Sequence, residues 1–185
     1  MNLTASKRAG ETKSATKHAR REGKIPAVFY SCENPGESIE LDALEFDAIL
    51  RQVKPNHLST TIFTLKFEGK SIKAIVKGVQ YHRTSYKVLH LDFEELKDNM
   101  PVKVKVPIEF VGIADCVGIK LGGFLRPIVR NVKVKCLPKD IPSQFELDIT
   151  DMKIKQSKRL SDIPMPQGVE TLTVTDEVVV VIAKR

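Results

Sequence analysis

In the first half of the chain, apolar and polar residues alternate over short stretches that read as strands wet on one face. "IPAVFY" (25–30) is apolar, "SIELD" (38–42) alternates, and "TTIFTLKFEG" (60–69) sets Ile62 and Phe63 among Thr and Lys before Gly69. That glycine predicts a hairpin turn, with "KSIKAIVKGVQYH" (70–82) as the returning strand. "KVLHLDFEEL" (87–96) is a further strand. Two segments read as helices instead. "KSATKHARRE" (13–22) has helical propensity and is stopped by Gly23, a residue type that tolerates the left-handed conformation at a helix end. "DALEFDAILRQV" (42–53) groups Leu44, Phe46, Ala48, Ile49 and Leu50 in a helix-like pattern. "CENPGE" (32–37) is a turn, with Pro35 and Gly36 side by side.

The polar run "EELKDNM" (94–100) separates two strand-rich segments and predicts a boundary, giving domains 1–95 and 96–185. Beyond it, "PVKVKVPIEFVG" (101–112) and "NVKVKCLP" (131–138) alternate Val with Lys, the signature of strands with one solvated face. "QFELDI" (144–149) does so more briefly, and "VVVVIA" (178–183) has the length and β-branching of a buried strand. The two "VKVK" stretches are recurring amphipathic strands rather than a repeat of fixed period. The fold class expected from the pattern is mainly β: two β-rich domains with few, short helices.

Composition narrows the function. The 185 residues allow one domain or two, and 42% apolar content is enough for a core, which excludes global disorder. No run approaches the roughly 18 apolar residues of a membrane span, and "MNLTASKRAGETKS" lacks the apolar centre of a secretory signal. Cys32, Cys116 and Cys136 show no metal-ligand or disulfide spacing, which fits a reduced, cytoplasmic setting. A net charge of +7 favours a polyanionic partner. Residues 1–95 carry 15 basic and 12 acidic side chains, and residues 96–185 carry 15 and 11. Within the first half the excess is local, with seven basic against two acidic among the first thirty residues.

Catalytic signatures are missing. No nucleophile elbow, Walker-type loop or dinucleotide fingerprint occurs, and "GIKLGG" (118–123) reads as a plain turn. His90 and Asp92 lie two apart, hence on one strand face. They could form part of a metal pair without an evident third ligand, or present a donor and an acceptor to a nucleic acid. The expectation is a non-enzymatic protein with no cofactor and no metal.

Two polar groups point to RNA. On a helix, Lys13, Thr16, Lys17, Arg20 and Arg21 share one side with no acid until Glu22. Such cations neutralise phosphates. The second group is Gln80, Tyr81, His82, Arg83, Tyr86, Lys87 and His90, with no acid before Asp92. Gln and His can read base or sugar edges, while Arg and Lys hold phosphates.

"ARREGKIPAVFY" followed by "GVQYHRTSYKVLHLDF" closely resembles the signatures of the bacterial large-subunit ribosomal protein L twenty-five family, in its long form also called general stress protein Ctc. "VPIEFVG", "GIKLGGFL", "VKCLPKDIP" and "LDIT" resemble the extra C-terminal domain of the long form, so the likeness covers essentially the whole chain. The resemblance implies an N-terminal closed β-barrel that binds 5S ribosomal RNA, followed by a second β-rich domain. By position it implies that Arg8, Lys13, Thr16, Lys17, Arg20, Tyr30, Gln80, Lys87, His90 and Asp92 face the RNA. Arg21, His82 and Arg83 join them on charge and proximity alone. The chain departs from the family pattern at Ser31, where a glycine usually follows the tyrosine, and at His18 and Ala19, where Arg and Leu are usual. The expected partners are 5S rRNA within the large subunit and neighbouring ribosomal proteins through the second domain. A monomer on the cytoplasmic ribosome, away from any membrane, is expected.

Two other readings compete. One is a stress-related protein-interaction module whose "VKVKV"-type strands offer a sheet edge for pairing. The other is a metal-dependent hydrolase built on the histidines.

Overall fold

The computed structural model describes residues 1–8, 10, 12–31 and 36–184. The turn expected at "CENPGE" therefore lies largely outside the described residues, as does Cys32. The chain divides into two compact units, Met1–Met100 and Pro101–Arg185.

The first unit is a closed six-stranded barrel, as the resemblance implies. Its strands are β1 (Asn2–Lys7), β2 (Lys24–Tyr30), β3 (Glu37–Asp42), β4 (Ile62–Phe67), β5 (Lys70–Tyr81) and β6 (Val88–Glu95). Around the barrel they run β1-β3-β2-β6-β5-β4, and β4 closes parallel onto β1. Alternation decides which side chains enter. Leu3 and Ala5 of β1, Ile39 and Leu41 of β3, Phe63, Leu65 and Phe67 of β4, and Leu91 and Phe93 of β6 fill the interior. Phe63 meets Phe93 edge-on with ring centroids 6.1 Å apart, a favoured aromatic geometry.

β1 was not foreseen, because only two small-to-medium apolar residues alternate in "NLTASK". Its hydrogen bonds to β3 and β4 make it a strand. The two expected helices are α1 (Lys13–Arg21) and α2 (Ala43–Gln52). In α2 the Asp42 carboxylate accepts from the amides of Leu44 and Glu45, an N-cap. Its buried stripe corrects the sequence expectation: Phe46 and Ile49 enter the barrel core, with Leu50 and Val53 against it, whereas Leu44 is 80% exposed and Ala48 faces solvent. The buried set follows the i, i+3, i+4, i+7 rule, and Leu44 and Ala48 fall outside it.

The second unit holds two sheets. One has the order β10-β7-β9-β12, built from β7 (Val102–Val111), β9 (Asn131–Cys136), β10 (Phe145–Asp148) and β12 (Glu170–Thr171). The other has the order β11-β13-β8, built from β8 (Gly123–Pro127), β11 (Ser157–Arg159) and β13 (Val178–Lys184). A short α3 (Val117–Lys120) precedes β8, so "GIKLGG" runs from a four-residue helix into a strand instead of forming a plain turn. The "VKVK" strands are β7 and β9, and they pair antiparallel at the centre of their sheet. This overturns the expectation that they offer an edge. Val102, Val104, Val106, Val132 and Val134 are buried, because the alternation suits a sheet with one dry face.

Candidate nucleic-acid interface

Helix α1 lies outside the barrel against β2. The Thr12 hydroxyl oxygen accepts from the Ala15 amide at 3.2 Å and caps it. At its other end Gly23 has φ +77, a conformation that costs glycine little. Ala19 is the buried contact, and Pro26 of β2, outward by alternation, is buried as well. Small side chains at this seam let helix and strand approach closely. With 100° per residue, Lys13, Lys17 and Arg21 project from the side opposite Ala19, and all three are exposed. No acid occurs in the first turn, while His18, Arg20 and Arg21 stand in the last, where cations suit the helix dipole. Thr16 sits at the margin of the basic face, its hydroxyl donating to the Thr12 carbonyl at 3.1 Å.

Arg20 does more than present a charge. Its Nε and Nη2 both donate to the Leu89 carbonyl of β6, at 3.2 and 2.9 Å. This fork fixes the C-terminal end of α1 to β6, so the two polar groups read from the sequence become one surface.

That surface continues over the outer face of β5, β6 and β2. Gln80 pairs in register with His90, Gly78 with Asp92, Val28 with Asp92, and Tyr30 with Glu94. β5 bulges here, since the register slips between Val76 and Gly78. The bulge frees Lys77 to reach Glu94, with Nζ 2.5 Å from Oε2. Gly78 leaves room for Asp92: a Cβ at position 78 would stand 2.5 Å from Asp92 Oδ2. Asp92 in turn lies beside His90, Oδ1 to Nδ1 2.9 Å. The approach is off the N–H axis, so it is a close electrostatic contact rather than a directed hydrogen bond. Burial first, then the carboxylates of Glu94 and Asp92, hold the Tyr30 hydroxyl above the usual tyrosine range. It therefore stays protonated near neutral pH and can donate. Ser31, directly after it, is buried.

The loop between β5 and β6 is organised by His82. Its Nδ1 lies 3.1 Å from Thr84 Oγ1 and 3.0 Å from Ser85 Oγ, and accepts from the Ser85 amide at 3.3 Å. Its backbone amide donates to the Lys87 carbonyl at 2.8 Å. His82 thus shapes the loop, while Arg83, Tyr86 and Lys87 are exposed. Lys87 lines a cleft together with Arg20 and Leu89. Arg8 stands apart, on the other flank of α1. It lines a cleft with His18, Glu22, Lys24 and Glu40, and its Nε donates to the Gly10 carbonyl at 2.8 Å. Glu40 also pairs with Lys24 and holds that ammonium above the usual lysine range.

Lys77, Gly78 and Glu94 were not singled out from the sequence. A glycine inside a strand pattern is the signal that pointed to them, since it marks a bulge or a close approach. Among the described residues no cluster of His, Cys, Asp and Glu suits a metal ion. Among the described residues, no helix is long and apolar enough to cross a membrane.

A basic helix clamped to a barrel, beside a polar strand face, defines a protein built to present a surface. Comparison with known families puts both units among ribosomal proteins. Residues 3–93 match the Ribosomal L25p family, and residues 101–185 match the ribosomal protein TL5 C-terminal domain. The chain is 44% identical over 185 residues to the large ribosomal subunit protein bL25 of Chlamydia pneumoniae, covering 100% of both chains. Likewise it is 45% identical to the protein of the same name from Chlamydia abortus and 43% to that of Chlamydia muridarum, again over the full length of both. The chain belongs to the Ribosomal L25p family, in the long form with a TL5-type second domain. That membership makes it a structural rather than a catalytic protein.

Proposed function

We propose that this chain is a structural constituent of the large subunit of the cytoplasmic ribosome and binds 5S rRNA through the first unit. The observation that carries the reading is the fork from Arg20 to the Leu89 carbonyl. It joins the basic face of α1 to the Gln80, His90, Asp92 and Tyr30 face. On this surface Lys13, Lys17 and Arg21 supply phosphate contacts, with Lys87 and Arg83 on the loop beside them. Gln80, His90, Asp92 and Tyr30 supply donors and acceptors for base edges or 2′-hydroxyls. The mixed charge suits selectivity: the lysines attract any polyanion, whereas Asp92 and Glu94 repel a phosphate and accept only from an RNA donor. A rigid surface of this kind suits an irregular RNA groove better than a uniform duplex.

The test is a mobility shift with 5S rRNA against an unrelated RNA duplex of equal length. A specific complex is expected. No shift at low salt, or equal affinity for both RNAs, would refute the proposal. Lys17→Glu is the clean variant, since Lys17 is exposed; it should weaken binding with an unchanged circular dichroism spectrum.

A further inference from the structure

Tyr86 lies in the loop between β5 and β6, and its backbone is strained. Its φ is +54, in the left-handed region where a Cβ crowds the chain. Hairpin loops place glycine or asparagine at such a position. A glycine would close this turn with less strain, so the ring does nothing for the turn. Nor does it serve a core, because Tyr86 is 77% exposed. A tyrosine contributes most where its ring leaves water, and here most of it stays wet.

The loop nevertheless holds this residue in place. The Tyr86 amide donates to the His82 carbonyl at 3.0 Å, and the His82 amide donates to the Lys87 carbonyl at 2.8 Å. The Thr84 and Ser85 hydroxyls gather on His82 Nδ1 between them. The strained conformation is thus bracketed by hydrogen bonds. Strain of this kind persists only where its surroundings impose it, and it gathers at binding sites. Arg83 and Lys87 flank Tyr86 and are exposed, and no acid occurs from residue 79 to residue 91. Lys87 shares a cleft with Arg20, which sets the loop beside the basic helix α1.

We infer that Tyr86 is a base-stacking residue: its ring takes one unstacked base of an RNA, while Arg83 and Lys87 hold the phosphates on either side. This rests on the proposed binding of RNA by the first unit and adds a contact that neither charge nor hydrogen bonding supplies. Only a base released from its helical neighbours offers a free face, so the ring selects an opened strand over a continuous duplex. A protein pocket for the ring would call for apolar neighbours at the centre of the contact, whereas Arg83, Thr84, Ser85 and Lys87 are all polar.

The chain has no tryptophan, so Tyr86→Trp places a single indole at the site. Its emission should be strongly quenched when the full chain is titrated with 5S rRNA, and far less by an unrelated paired duplex of equal length. Tyr86→Ala should lose roughly tenfold or more in 5S rRNA affinity, the range of one lost base stack. Tyr86→Phe keeps the ring and should stay within about twofold of the parent. Tyr86→Gly suits the positive φ and should bind as weakly as Tyr86→Ala, so the loss cannot come from a distorted loop. The slope of log affinity against log salt should not change in Tyr86→Ala, because no cation is lost, whereas Lys87→Gln should lower it by about 0.7 to 0.9. If the parent binds 5S rRNA specifically while Tyr86→Ala binds as well as the parent, or the indole is not quenched in that complex, the stacking role is overturned and the RNA surface stands. If the parent itself shows no specific binding, the RNA reading fails and this one with it. In large subunits, a photo-reactive side chain at position 86 should cross-link to RNA; a cross-link to protein alone overturns the assignment.

Discussion

The two units handle positive charge differently. In the first, cations project from a helix docked on a closed barrel, and several neighbouring polar groups are tied to another: Arg20 to Leu89, Lys77 to Glu94, Asp92 to His90. In the second, lysines and acids share one sheet face: Lys103 stands opposite Lys135, Lys105 opposite Lys133, Glu170 opposite Lys135 and Glu109 opposite Glu146. Fixed, mixed-sign groups suit recognition of one particular groove, because each displaced atom costs a contact. The same number of basic residues is thus fixed by specific partners around one proposed surface in the first unit and spread along solvated strand faces in the second.

The comparison can be broken most forcefully at the barrel core. Phe63→Ala removes a fully buried ring that packs on Phe46 and Phe93. It should cost the first unit about 3–5 kcal/mol in urea unfolding, and 5S rRNA binding should vanish with it. Next comes Gly78→Ala. The added methyl group displaces the Asp92 carboxylate, so 5S rRNA affinity should fall at least tenfold, about 1.4 kcal/mol, by filter binding, while the unrelated duplex binds as before. An equal loss for both RNAs would mean that Asp92 has no part in selectivity. Lys133→Glu acts on stability in the second unit: it sets a carboxylate opposite Lys105 in the β7–β9 register, so urea unfolding should show a gain of roughly 0.2–1 kcal/mol.

The smallest effect concerns acid. The Thr150 hydroxyl, then the Thr150 amide, hold the Asp148 carboxyl below the usual aspartate range. A depressed pKa stabilises the fold above the unfolded value near 3.8 and loses that contribution as pH falls through the folded value. Thermal melts below about pH 4 should therefore separate the parent from Asp148→Asn, which lacks this dependence, and above about pH 5 the acid-linked difference in slope should disappear. A parallel pH dependence in both would exclude the Thr150 contacts as its cause.

Most of the strands were legible because one face of each sheet is dry, and period-two alternation survives in "TTIFTLKF" and "VKVKV". β1 was not, since its strand character comes from partners about 35 and 60 residues away in sequence rather than from its own residues. The buried stripe of α2 was half legible: Phe46 and Ile49 were in the grouped set, but nothing local distinguishes Leu44, which ends exposed. The same holds for the site. The basic face of α1 follows from spacing alone. The Lys77–Glu94 and Gly78–Asp92 arrangement requires a bulge; Gly78 inside the strand pattern hints at one, but which carboxylates it brings close follows only from the β5–β6 register.

The fork from Arg20 to Leu89 spans 69 positions of sequence. The residues proposed to recognise RNA are therefore neighbours only after β6, the last barrel strand to emerge during synthesis, has docked beside β2. Before that, on the proposed reading, the N-terminal segment offers RNA only its charge, a grip that is general and easily screened by salt. The completed barrel would be the first state with a selective surface. Incorporation through that surface would reject unfinished chains, making maturity of the fold a condition of entry into the particle.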